Sequence, residues 1–141
     1  MLPADRLGVR RAGGIHDPRG KGRAIWLFTE KGFYSVVTTD LGGDYMIRGR
    51  VLADLEALLP ILEPFGRSRS VIVSESADYR YRLVVDTDEW LRIAEVLAAE
   101  LDYTNFKNRI AARNPRRASA YHRIWDIHFA ELSAEDADTS S

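Results

Sequence analysis

The sequence predicts an α+β fold: a mostly antiparallel sheet backed by helices on one face, a ferredoxin-like variant with extra C-terminal helices. Three observations carry this. Short runs rich in aromatic and β-branched residues come in pairs across tight turns, so the strands form hairpins. Each longer helical segment has one apolar stripe, which suits packing on one side of a sheet. The elements follow the order β-β-β-α-β-β-α-α-α along 141 residues, a length for one domain with a sizeable core.

Residues 24–29 and 33–38 form the first hairpin. Glu30-Lys31-Gly32 reads as a three-residue loop, with Gly32 in the left-handed position of a G1 bulge. That register pairs Phe28 with Tyr34 and Trp26 with Val36. It puts Trp26, Phe28 and Tyr34 on one face, and Ile25, Leu27, Ser35 and Val37 on the other. A turn over residues 40–44 leads to a third strand, residues 45–51. There Tyr45, Ile47 and Val51 share one face and Met46, Arg48 and Arg50 the other. Leu52, Leu55, Leu58, Leu59 and Leu62 then fall at helical spacing, and Pro60 ends or kinks that helix.

Residues 71–74 and 79–85 read as another hairpin. Tyr79, Tyr81, Leu83 and Val85 alternate with Arg80 and Arg82. Asp86 and Glu89 form a capping box. Behind them Trp90, Ile93, Ala94, Leu97, Ala98 and Leu101 make an apolar stripe. A short helix from Thr104 stops before Pro115. The last helix carries Tyr121, Ile124, Trp125, His128, Phe129 and Leu132. Residues 1–23 read as a flexible basic arm, 24–132 as a single α+β domain and 133–141 as an acidic tail that frays.

Net charge is −1 but unevenly spread. Residues 1–24 sum to +4, residues 102–123 to +5 and the tail from Glu131 to −4, a pattern that also fits solvated faces and a solubilising tail. The absence of cysteine excludes disulfides and thiolate chemistry. There is no membrane-span run and no signal-peptide core, so a soluble, cytoplasmic protein is expected. No phosphate loop, dinucleotide fingerprint, zinc-protease motif or nucleophile elbow occurs, so neither cofactor nor metal is expected.

"AIWLFTEKGFYSVV", "RGRVLADLEALLP", "ADYRYRLVV", "LDYTNFKNRIAARN" and "YHRIWDIHF" resemble an uncharacterised family of small bacterial proteins, over about residues 24–132. The resemblance implies a bacterial origin and one compact domain, and no activity. Residues 30–37 also overlap the strand signature of the RNA recognition motif. Lys31, Gly32, Phe33 and Val36 coincide with it. Tyr34, Ser35 and Thr38 depart from it, and Ser35 stands where an aromatic is expected.

If the aromatic set shares a face with the arginines, the sheet offers flat rings for bases and cations for phosphates. Trp26, Phe28, Tyr34, Arg48, Arg50, Arg80 and Arg82 would then bind single-stranded RNA or DNA. Lys107, Arg109, Arg113, Arg116 and Arg117 would add a basic helical segment. The plainer alternative makes the rings core, with the arginines paired to Glu75, Asp78 or a second subunit. A non-enzymatic binding or regulatory protein is the expectation, without catalytic residues. One rival is a homodimeric interaction module with the sheet face buried, or with Tyr121, Trp125 and Phe129 as interface anchors. The other is a small-molecule enzyme using His128 as base, with no second polar group converging on it in sequence.

Overall fold

The computed structural model describes residues 23–39, 43–101 and 106–140. The arm before Arg23, the turn at Asp40, the helix start at Thr104 and the Lys107 side chain lie outside the described residues. Two compact units divide after Glu100. Among the described residues no helix is long and apolar enough to cross a membrane.

In the first unit β1 (Ala24–Phe28), β2 (Phe33–Thr38) and β3 (Asp44–Gly49) form a meander. Two short helices follow, α1 (Leu52–Glu56) and α2 (Leu59–Leu62), then a 3-10 turn (Glu63–Phe65). Pro60 sits in the first turn of α2, where its missing N–H costs nothing, so the expected single helix is broken in two. The hairpin β4 (Ile72–Val73) and β5 (Tyr81–Asp86) leads into α3 (Thr87–Ala99).

The sheet is five-stranded, in the order β1-β2-β3-β5-β4, and all four pairings are antiparallel. The α+β class and the antiparallel sheet are as expected. Strand β3, helices α1 and α2 and strand β4 form a βαβ crossover split by β5, so neighbouring strands stay antiparallel. Here three strands meander before the first helix, and β5 docks antiparallel on β3.

One face of the sheet carries Leu27, Tyr34, Val36, Tyr45, Ile47, Tyr81, Leu83 and Val85. Leu55, Leu58, Leu62, Trp90 and Ile93 from α1, α2 and α3 pack into the same cluster. The helices of this unit therefore back one face, because each brings a single apolar stripe. Ile93 is buried and Leu97 partly so, but Leu101, beyond the end of α3, is 82% exposed.

The expected capping box is present. Glu89 N–H donates to Asp86 Oδ1 at 2.9 Å, and Asp86 N–H to Glu89 Oε1 at 2.9 Å. Glu89 is fully buried and also receives the Arg69 guanidinium as a two-pronged fork, at 3.0 and 2.7 Å. Arg67 adds a contact to Asp86 at 2.8 Å. The hydrogen bond to Glu89 raises the pKa of Arg69 above its ordinary value. A raised guanidinium pKa makes that contribution complete at neutral pH, and it is lost only as pH rises through the raised value. Arg67 and Arg69 thus hold the loop before β4 against the start of α3.

The second unit contains α4 (Phe106–Arg113) and α5 (Pro115–Ser140). Asn114 Oδ1 accepts from Arg117 N–H at 3.0 Å, and Pro115 opens α5, a standard helix start. The helix runs on through the acidic tail to Ser140, where fraying was expected.

Arg69→Ala should leave the buried Glu89 carboxylate without its fork. The loss should fall somewhat below the ~3–5 kcal/mol of a fully buried broken pair, because the Arg69 side chain keeps 27% exposure. Arg92→Ala, which breaks an exposed pair with Glu95, should stay within about 0.5 kcal/mol of the parent. Urea denaturation of both variants measures the difference.

Candidate functional site: the sheet face opposite the core

The first hairpin is one residue out of the expected register. Phe28 pairs with Phe33, Leu27 with Tyr34 and Trp26 with Ser35. The loop has four residues, closed by Thr29. Its N–H donates to the Gly32 carbonyl at 2.9 Å, and its Oγ1 accepts from Gly32 N–H at 3.0 Å. Gly32 is not at positive φ, unlike Gly43 and Gly66. It is glycine for space: a Cβ there would lie 2.7 Å from Asp54 Cβ and 2.8 Å from its Oδ1. Asp54, buried at the start of α1, uses that space to accept the Phe33 N–H at 3.1 Å.

The register decides the faces. Tyr34 lies in the core at 1% exposure, its hydroxyl donating to the Asp54 carbonyl at 2.8 Å. This corrects its expected place beside Trp26 and Phe28. Phe33 takes that place. Its ring is 4.8 Å from Phe28 and 5.9 Å from Trp26, edge-on to the latter.

Tyr79 also differs from expectation. The β4–β5 connection is closed by a bond from Ser74 N–H to the Arg80 carbonyl at 2.7 Å, and β5 starts only at Tyr81. Strand alternation therefore does not reach Tyr79, which stacks on Phe33 at 6.4 Å. The guanidinium groups of Arg48 and Arg50 cover its ring at 4.5 and 4.3 Å, favourable cation–π distances. Trp26, Phe28, Phe33 and Tyr79 so make an aromatic row with arginines at one end.

Arg48 and Arg82 are cross-strand partners on β3 and β5. Arg48 Nη2 donates to Ser35 Oγ at 2.7 Å, while its buried Nε has no partner. Burial lowers the pKa of Arg48, with Arg82 and Arg50 pushing the same way and Tyr79 and Asp78 opposing. Arg82 donates to the Tyr79 carbonyl at 3.2 Å and approaches Met46 Sδ. Among the described residues neither Arg48 nor Arg82 forms an ion pair. Arg50 pairs with Asp78 at 3.1 Å on the surface. Arg80 stands apart, exposed before β5 and paired with Glu75, whose hydrogen bond raises its pKa.

The basic helical segment belongs to the other unit. Arg113 and Arg116 are exposed and Arg109 is half-buried. Arg117 donates to the Tyr121 hydroxyl at 3.1 Å. Trp125 and Phe129 are exposed and stacked at 5.4 Å, with Tyr121 half-buried. His128 is exposed on α5, and among the described residues no group of three His, Asp or Glu could hold a metal.

Phe33 and Tyr79 are the site residues the sequence reading missed. A signal for the first lay in Thr29, whose hydroxyl favours a local bond that closes a turn. For the second, Ala77-Asp78 extends the turn and delays the strand. Comparison with family models, curated proteins and solved structures returns no match.

Tyr34→Phe should lower stability by about 0.5–1.5 kcal/mol, the worth of one hydrogen bond. Gly32→Ala should cost about 1–3 kcal/mol by overpacking against Asp54. Chemical denaturation of each variant checks both, and equal stability for Gly32→Ala would mean that Asp54 does not need the space.

Proposed function

We propose that the protein binds single-stranded RNA or DNA, weakly and with little sequence preference, on the sheet face opposite α1, α2 and α3. One observation carries the reading: Arg48 and Arg82 stand side by side at the end of an aromatic row without carboxylate partners. A phosphate supplies the missing negative charge, and guanidinium groups bind phosphate well. Trp26, 57% exposed, offers a ring on which a base can stack. Phe28, Phe33 and Tyr79 are already packed on one another, so they stiffen the platform more than they present it. The reading calls on stacking and charge neutralisation, and on no bond-making step.

Fluorescence anisotropy with labelled oligo-dT and oligo-rU at low salt tests it. Binding should weaken steeply as salt rises, because each phosphate contact releases counterions. An Arg48→Ala, Arg82→Ala double variant should bind more weakly. Its slope of log K against log salt should flatten by about 1.4, at ~0.7 for each lost contact on a single strand. Trp26→Ala should weaken binding about 5- to 150-fold, the equivalent of the ~1–3 kcal/mol of one stacked base. No binding by the parent protein, or an unchanged slope in the double variant, would overturn the proposal.

A further inference from the structure

Helix α5 divides the charge of the second unit cleanly. Residues 106–123 hold Lys107, Arg109, Arg113, Arg116, Arg117 and Arg123 and no acidic residue. Residues 124–141 hold Asp126, Glu131, Glu135, Asp136 and Asp138 and no Lys or Arg. The division falls beside an aromatic stripe. Trp125, Phe129 and Leu132, at i, i+4 and i+7, share one side of the helix and are 53%, 62% and 57% exposed.

Every residue from 125 to 139 is exposed. In proteins most helical stability comes from packing of an amphipathic face, so an exposed apolar stripe on this half is open to a partner. The first half of α5 is supported differently: Arg117, Ala118, Ala120, Tyr121 and Ile124 are half-buried, and α4 packs on this half. The more exposed half is the acidic one.

The geometry points to a second copy of this chain as the partner, with the two α5 helices antiparallel about Ile127. In that arrangement Trp125 of each copy faces the partner's Phe129, covering the aromatic stripe. The acidic half of each helix runs beside the basic half of the other. Arg117 and Glu135 lie about five turns apart on one side of α5, at 3.6 residues per turn. An antiparallel pairing therefore brings Arg117 close to the partner's Glu135 on each side. A parallel pairing would set arginine beside arginine and glutamate beside glutamate, which the charges oppose.

Sedimentation analysis of the full-length chain over a wide concentration range tests this, at low and at moderate salt. A reversible dimer is expected, weakening as salt rises. Phe129→Glu should raise its Kd by at least about 30-fold, the equivalent of the ~2 kcal/mol of one aromatic anchor. Arg117→Glu and Glu135→Arg should each weaken the homodimer. An equimolar mixture of those two variants should associate more tightly than either alone, because the charges again oppose across both contacts. A monomer at every concentration would overturn the inference. So would a dimer indifferent to Phe129→Glu, or a mixture no tighter than its components.

Discussion

The hydrogen bond from Phe33 N–H to Asp54 is the contact on which the character of the sheet depends. It joins the start of β2 to the first turn of a helix 21 residues later. It requires glycine at position 32, since a side chain there would occupy the space of the carboxylate. With the loop closed at Thr29 and Gly32, side-chain alternation along β2 has no freedom left. Tyr34, Val36 and the residues paired with them face the helices; Phe33 and Ser35 face away. A shift of one residue would exchange the two sets and put a tyrosine hydroxyl where an aromatic row now lies.

A second buried carboxylate orders the other end of the unit. Glu89 serves both as the reciprocal member of a helix cap and as the receiver of Arg69. A buried carboxylate is costly unless its oxygens are well satisfied, and a planar guanidinium fork meets that need better than an ammonium would. The result ties an otherwise irregular loop, with Arg67 and Arg69, to the point where β5 turns into α3. Asp54 and Glu89 are both polar residues in helical segments, and both act by accepting backbone N–H groups that would otherwise lie buried and unpaired.

The arginines of the sheet divide by their partners. Arg50 and Arg80 meet carboxylates on the surface, and such pairs add little stability. Arg48 and Arg82 instead lean on a ring, a hydroxyl and a carbonyl, with no carboxylate paired to either and the buried Nε of Arg48 without a partner. Uncompensated charge in a partly desolvated setting is costly to the fold, and an anionic ligand would relieve that cost.

Local pattern was enough to determine the α+β class, the hairpins, the capping box at Asp86 and Glu89, and the stripe with Trp90 and Ile93. These depend on periodicity and on contacts a few residues apart, which the sequence states directly. Parity within a strand also set Trp26 with Phe28, Arg48 opposite Ile47 and Arg82 opposite Leu83, but whether the rings and the arginines share a face stayed open in the sequence. The exchange of Tyr34 for Phe33 had only Thr29 as a local signal; the bond from Phe33 N–H to Asp54, far along the chain, completes the register. Tyr79 was assigned to the wrong face because a turn, not a strand, precedes β5. The docking of β5 between β3 and β4 also belonged to the tertiary structure. Pairing between distant strands is chosen by which faces can bury together, and no local stretch of sequence contains that information.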